Sequence, residues 1–348
     1  MTSLSTFERV CAWDAALSAL RAFLRGRGYR EVTTPVRVAA PIPEPYIEPV
    51  RAEGGVLVTS PEQGLKRLLA AGAGPIFEIA HVFRRAERGR LHAEAFHLAE
   101  WYRPGGTPDE LAREVVLAVE AVGRAVRDAL GRPTGPLDAA LAQGVRAVDV
   151  LGALAGAVGV GLAGDECAEV LVRTCRGKDP DLDAALAAAL GPFDRGGGTQ
   201  GGPEAVARAA DLAAWTALFS WWADRCFTPG DPSEGVVRLA PFPGALPALA
   251  RVVREAGRSV SRRFEVVVAG VEVASGYDEI RDAGALLRRF EAVLALRRVL
   301  GAPPIPDVAG VARAVTAIPP AAGVALGLDR VMMLACGAER LDAIALSP

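Results

Sequence analysis

"FRRAERGRLHAEAFHLAEWYRPG", residues 83–105, decides how this chain folds. Apolar and aromatic residues mark its two ends as strands, and the short loop between them holds Arg85, Arg88, Arg90 and His92. Strands joined by so short a link run antiparallel, because parallel neighbours need a crossover of a dozen or more residues. The first strand ends at Arg84. In the second, 95–103, side chains alternate between faces, so Phe96, Leu98, Glu100 and Tyr102 share one side. That side spans roughly 20 Å, enough for an extended nucleotide plus a small substrate. The arginine-rich loop suits phosphates, although for any one of those arginines an exposed, arginine-biased hairpin tip is the better explanation.

Outward from the hairpin, "IFEIAHVFR" (76–84) is its first strand, preceded by a helix over "PEQGLKRLLAAG" (61–72) and a strand "VLVTS" (56–60). The chain opens with helical spacing over 7–25, stopping at Gly26, and then a strand "YREVTTP" (29–35) that ends at Pro35. Downstream, "TPDE" at Thr107 is a capping box: Thr107 caps, Pro108 sits in the first turn and Glu110 reaches back, starting a helix that runs to Gly131. Residues from about 132 to 230 read as an alanine-rich helical insertion, broken by "GPFDRGGGTQGGP" (191–203), a mobile loop. Strand signals return in "RFEVVVAGVEVASGY" (263–277), a helix follows over 283–300, and "AGVALGLDRVMMLACG" (322–337) is a strand feeding a helix. The expected architecture is α+β, an antiparallel sheet flanked by helices, with residues 1–348 forming one domain.

With 348 residues, 51% hydrophobic and 23% charged, the chain can bury a sizeable core. Its net charge of −2 carries no general affinity for nucleic acid, so any basic site is local. Positive charge is almost wholly arginine; Lys66 and Lys178 are the only lysines, a pattern of base composition. Five scattered cysteines without a C-x-x-C spacing indicate neither a zinc site nor a disulfide framework, as in a reducing cytoplasm. The start lacks a signal pattern, and the longest apolar run, 151–164, is too short to span a bilayer.

Three further groups of residues can carry chemistry. A turn at Ala269–Gly270 puts Val267 opposite Glu272, which makes Glu265 and Glu272 diagonal neighbours on one surface. Two such carboxylates can hold Mg²⁺, which completes its shell with phosphate, or can be an ordinary polar face. Glu62, Glu100 and Glu279 each sit in or beside an apolar segment, where a carboxylate is costly unless paired, and a bound ammonium would pair them. For Glu62 a position at a helix start is the plainer explanation. Arg330, after "GLD", either meets phosphate or pairs structurally with Asp329.

These segments, in this order, resemble the catalytic core of the class II aminoacyl-tRNA synthetases: the helix-strand-proline opening at Pro35, the strand-loop-strand "FRRAERGRLHAEAFHLAEWY", and "GVALGLDR". Within that class the chain is similar to lysyl-tRNA synthetases and above all to the stand-alone elongation factor P (R)-β-lysine ligases, through "SPEQGLKRLLAAGAGPIFEI", "EWYRP", "RFEVVVAGVEVASGYDEI" and "PPAAGVALGLDRVMMLACGAE". The resemblance implies an AMP-forming, ATP- and Mg²⁺-dependent ligase, a homodimer through the Pro35 region, without an anticodon-binding domain or a tRNA partner. It places ATP against Arg84, Arg85, Ala86, His92, Ala93, Phe96, Glu272, Val273, Gly327 and Arg330, with Arg84 and Arg330 catalytic. It gives the metal to Glu265 and Glu272, and lysine or β-lysine to Ser60, Glu62, Glu100, Tyr102, Ser275, Glu279 and Ala325. The acceptor would be a lysine of elongation factor P.

Departures from the family pattern are concentrated in the hairpin. "FRRA" and "AEAF" stand where the family has Phe-Arg-Asn-Glu and Asn-Pro-Glu-Phe, so Ala86 replaces a carboxylate expected to meet adenine, while Ala93 and Ala95 replace an asparagine and a glutamate. Glu87 or Glu94 would have to substitute. Ser275 replaces an asparagine, and "PFPGALPAL" (241–249) lacks the family's Pro-Ala-Ser-Gln. These changes leave two alternatives: an adenylating ligase with another amino acid or acceptor, and a catalytically silent binding protein.

Overall fold

Ile76–Phe83 and Ala95–Pro104, the second with an unbroken buried run over 98–102, lie in an eight-stranded sheet covered on both faces. In the computed structural model, which describes residues 4–133, 135–194 and 202–346, its strands are β1 (Arg30–Glu31), β2 (Ile76–Phe83), β3 (Ala95–Pro104), β4 (Val145–Val148), β5 (Val236–Leu239), β6 (Arg263–Val268), β7 (Val271–Asp278) and β8 (Ala321–Gly327). Their order across the sheet is β1-β2-β3-β8-β7-β6-β5-β4. Neighbours from β2 to β5 are antiparallel, as expected. The two edges correct that expectation, since β1 is parallel to β2 and β4 parallel to β5. Both edge strands reach their partners through connections that contain helices, the crossover that parallel pairing requires.

The helices are α1 (Thr6–Gly26), α2 (Glu62–Ala70), α3 (Pro108–Leu130), α4 (Pro136–Ala142), α5 (Val150–Val158), α6 (Ala168–Cys175), α7 (Pro180–Asp194), α8 (Pro203–Cys226), α9 (Ala283–Val299), α10 (Val308–Thr316) and α11 (Leu328–Ala335). At α3 the capping box forms as read: Thr107 Oγ1 accepts from the Glu110 amide, the Glu110 carboxylate accepts from the Thr107 amide at 2.8 Å, and Gly131 closes the helix at φ 62°. Among the described residues no helix is long and apolar enough to cross a membrane.

Alternation sorts the sheet into two faces. Phe77, Ala99, Trp101, Val266, Val324 and Leu326 share the core with Leu20 of α1, Val115 and Val119 of α3, and Met332 of α11. Leu98, Glu100 and Tyr102 therefore face the other way. A second core joins α5–α8, through Leu151, Leu171, Leu186 and Trp215, to Val237, Leu239 and Val267 of the sheet.

Some local readings fall short. Of "YREVTTP" only Arg30–Glu31 pairs, and of "VLVTS" only Val56 and Leu57 belong to a strand, Gly55–Leu57, in a small separate sheet with Arg37–Val38 and Arg51–Ala52. The stretch 132–230 is helical but also supplies β4 to the main sheet. Of the glycine-rich stretch, 191–194 complete α7 and Pro203 begins α8, correcting the loop at its ends; residues 195–201 lie outside the described residues.

Candidate active site

Pairing register lays one row of side chains across the side of the central sheet turned away from α1, α3 and α11: Glu78, Glu100, Ala325, Ser275 and Glu265 are successive partners. The next row runs Ile76, Tyr102, Gly323, Tyr277, Arg263. Small residues at the middle of both rows make a trough, and Glu100 and Glu265 stand at its ends, three strand spacings or roughly 14 Å apart.

A cavity of about 250 Å³ opens beside this trough, over the β2–β3 loop and the start of α11. Arg84, His92, Ala93, Phe96, Glu272, Val273, Gly327 and Arg330 line it, and so do Ser275 and Ala325. Arg84 lies 4.9 Å over the Phe96 ring, a cation–π contact that aims a guanidinium along the cavity wall. Arg330 donates to the Leu91 and Glu272 carbonyls and lies 3.1 Å from His92 Nε2. Burial first, and then the Arg330 charge, hold His92 below its ordinary range, so it meets Arg330 as a neutral acceptor. The alternative pairing of Arg330 with Asp329 is not made; Asp329 instead accepts from the His97 amide at 2.6 Å.

Arg85 and Ala86 are not brought to the cavity wall. Both are exposed, and the Arg85 amide donates to the Glu48 carbonyl at 2.7 Å. Ala86 takes a left-handed φ of 62°, which lets its amide donate to the Glu94 carboxylate at 2.9 Å. Glu94 is thereby engaged, also by Arg88 at 2.6 Å, whereas Glu87 lines the cavity within 3.7 Å of Arg84. Of the two acids open as substitutes for the missing carboxylate, Glu87 is the one in place.

At the other end the acids are buried. Glu100, 2% exposed, accepts from Ser60 Oγ at 2.5 Å and from the Tyr102 hydroxyl at 2.6 Å. Glu62 and Glu279 are paired, but by the chain itself: Lys66 Nζ is 2.7 Å from Glu62 and 2.6 Å from Glu279, and Lys66 is wholly buried. The ammonium inferred for these carboxylates is therefore in part a resident one. Lys66 was missed as a site residue, and the available signal was a lysine one helical turn after Glu62 in a chain whose only other lysine is Lys178. Glu44 completes the group; with Ser60 and Glu62 it lines a small pocket of about 20 Å³, room for one water- or ammonium-sized group.

Burial is the largest cause lifting Glu44 and Glu279 to about 7 and Glu100 to about 8; the Glu62 charge adds to it, and Lys66 opposes it at Glu100 and Glu279. Carboxyls that hold protons more tightly folded than unfolded stabilise the fold at low pH, and that contribution is lost as pH rises through their folded values. Thermal stability of the ligand-free protein should therefore fall between about pH 5 and 8, and a diamino acid should offset the loss at the upper end. Calorimetric melting across this range checks it; a melting temperature that rises steadily to pH 8 would contradict it.

Gly323 is required by the same cluster. A Cβ there would run into the Tyr102 ring and Glu279 Oε1, and both residues are buried. Gly323→Ala should cost about 1–3 kcal/mol of stability and displace Tyr102 from Glu100. Unchanged denaturant stability would show that the trough tolerates a methyl group.

Glu265 and Glu272 lie on one face of the β6–β7 hairpin, with Val267 opposite Glu272 as read. Glu265 is buried and one carboxylate oxygen is bound by Arg263, while Glu272 is 46% exposed at the cavity. Among the described residues no group of three or more His, Cys, Asp or Glu side chains is gathered for a metal. Glu272 and the second oxygen of Glu265 still fit an ion such as Mg²⁺, which needs few protein ligands. Burial, with Glu272 adding, lifts Glu265 to about 7 against the pull of Arg263, and a cation would relieve that.

Comparison with known proteins places this geometry. The profile of the family described as tRNA synthetases class II (D, K and N) matches residues 9–112 and 234–348. Similar proteins include the elongation factor P–(R)-beta-lysine ligases of Edwardsiella ictaluri, 30% identical over 94% of this chain and 91% of its own length, and of Pectobacterium carotovorum, 32% identical over 95% and 92%. The Salmonella arizonae protein of the same name is 30% identical over 95% and 92%.

Proposed function

Because the chain belongs to the class II tRNA synthetases (D, K and N), we propose that it is an ATP-dependent ligase that activates lysine or (R)-β-lysine as the adenylate and transfers it to a lysine of elongation factor P. The observation that carries this reading is the trough itself: an arginine-lined nucleotide cavity at one end, a buried acid cluster at the other, and a floor of Ala325, Ser275 and Gly323 between.

The substrate carboxylate attacks the α-phosphorus in line, forming a new P–O bond as the bond to the leaving pyrophosphate breaks. Arg84 stabilises the charge that grows on the α-phosphoryl oxygens, and His92 and Arg330 hold the outer phosphates. Phe96 supports adenine. Mg²⁺, held by Glu272 and Glu265, would screen the triphosphate charge. Glu100, Tyr102, Glu62 and Glu279 fix the amines, so the carboxylate arrives at reacting distance with its orientation already set. An acceptor amine then attacks the adenylate carbonyl and releases AMP.

We read the whole chain as one catalytic unit with a helical insertion at about 132–230, a reading supported by the core that α5–α8 share with the sheet. Cytoplasmic location and a homodimer complete the proposal. Incubating the protein with ATP, (R)-β-lysine and elongation factor P and recording the intact mass of the acceptor tests it. One added lysyl group is expected; an unmodified acceptor with adenylate forming would overturn the acceptor assignment.

A further inference from the structure

Lys66 has no place in the chemistry described so far, yet it is the most deeply buried charge in the pocket. Its ammonium lies between Glu62 and Glu279 at 2.7 and 2.6 Å, and 5.9 Å from the centre of the Tyr102 ring. Both carboxylates meet it with one oxygen. The other oxygen of Glu279, Oε1, has no hydrogen-bond partner although the residue is only 2% exposed, and it points toward Gly323 and Tyr102 on the trough floor. A buried acceptor left open in this way is costly unless a donor arrives.

We propose that Lys66 is a positioning residue for the amino-acid substrate: it draws Glu62 and Glu279 together side by side and turns the free oxygen of Glu279 toward the substrate's side-chain ammonium. This rests on the lysine-ligase reading above. Charge counting gives the reason. Glu62 and Glu279 bring two negative charges and Lys66 one positive, so a single further ammonium makes the group neutral. Without Lys66 the two acids would repel and one would take up a proton, and a neutral carboxyl is a poor ammonium acceptor. With Lys66 in place, a neutral side chain of the same length leaves one buried charge uncompensated, which rejects it strongly. The compact ammonium matters as well. An arginine fork is planar and would need different acceptor geometry, in a chain whose other cationic side chains are, Lys178 apart, arginine or histidine.

The titratable groups facing this centre are Glu62 from α2, Glu100 and Tyr102 from β3, Glu279 with Asp278 at the end of β7, and Glu44 from the connection between Arg37–Val38 and Arg51–Ala52 of the small sheet. Burial opposes the charge on Lys66, but Glu279 and Glu62 together hold its ammonium above the ordinary lysine range.

Two lysines make the test direct. In protein labelled with ¹⁵N at the lysine side chains, one of the two ammonium signals, that of Lys66, should stay protonated above the ordinary lysine range. That signal should move when lysine is added and stay still with norleucine. In pyrophosphate exchange, Lys66→Met should raise KM for lysine roughly 30-fold near neutral pH with kcat little changed. Its KM should recover as pH is raised and the freed carboxylates ionise, and Lys66→Arg should not rescue it. A Lys66 signal unmoved by lysine, or a folded Lys66→Met protein whose KM and pH profile match the parent, would overturn the proposal. If the parent protein shows no exchange while the Lys66 signal still responds to lysine, the ligase reading fails and the role of Lys66 stands.

Discussion

Arg84→Ala is expected to lower ATP-dependent activation by about 10³-fold while leaving the fold intact. The side chain leaves the end of β2 at the mouth of the cavity, stacks on Phe96 at 4.9 Å and touches the Thr59 carbonyl at 3.4 Å and Glu87 at 3.7 Å. None of these contacts is a buried ion pair, so losing them costs little stability. What is lost is a fixed positive charge beside the phosphoryl group, in a site where its orientation is set before reaction begins. Arg84→Lys should recover only part of the rate, because an ammonium neither stacks on Phe96 nor offers a planar pair of donors. Steady-state exchange rates beside a melting curve check this; a loss of less than about tenfold in folded protein would remove Arg84 from the chemistry.

Glu279→Gln should have the second-largest effect, and on two quantities at once. The substitution keeps the shape but removes one of the two charges that compensate Lys66, leaving a wholly buried ammonium with Glu62 as its ion-pair partner. Lys66 keeps Glu62 at 2.7 Å, so what is lost is one charge-assisted contact, about 1–3 kcal/mol. Affinity for the amino acid should fall by roughly 10²-fold, since the open oxygen of Glu279 no longer carries charge toward the substrate. ATP affinity should change little, because Glu279 does not line the nucleotide cavity. Separate measurements of amino-acid and ATP KM, with urea unfolding, resolve these effects. Equal losses for both substrates would mean that Glu279 acts through the fold alone.

The sequence shows most clearly those features that depend on short-range rules. The β2–β3 hairpin, the capping box at Thr107 and the turn at Ala269–Gly270 follow from alternation, spacing and turn chemistry, and all three are present. So is the shared face of Phe96, Leu98, Glu100 and Tyr102, which period two alone dictates. The edge strands β1 and β4 were not legible as parallel, because each is only a few residues long and owes its place to a distant partner. Lys66 shows the same limit inside the site: its contact with Glu62 is one helical turn away, but its contact with Glu279 joins positions more than two hundred residues apart. The substitution at Ala86 could be seen in the sequence, but its remedy could not, since the left-handed turn at Ala86 is what commits Glu94 and leaves Glu87 facing the cavity.

ATP–pyrophosphate exchange with the purified protein, run over α-lysine, (R)-β-lysine, norleucine and a panel of other amino acids with Arg84→Ala as control, tests the adenylation claim most directly. Exchange that requires a lysine-type diamino acid, rejects norleucine and disappears in the control is the predicted result. Folded protein that exchanges with no amino acid would contradict it and leave the trough as a binding site without adenylation chemistry.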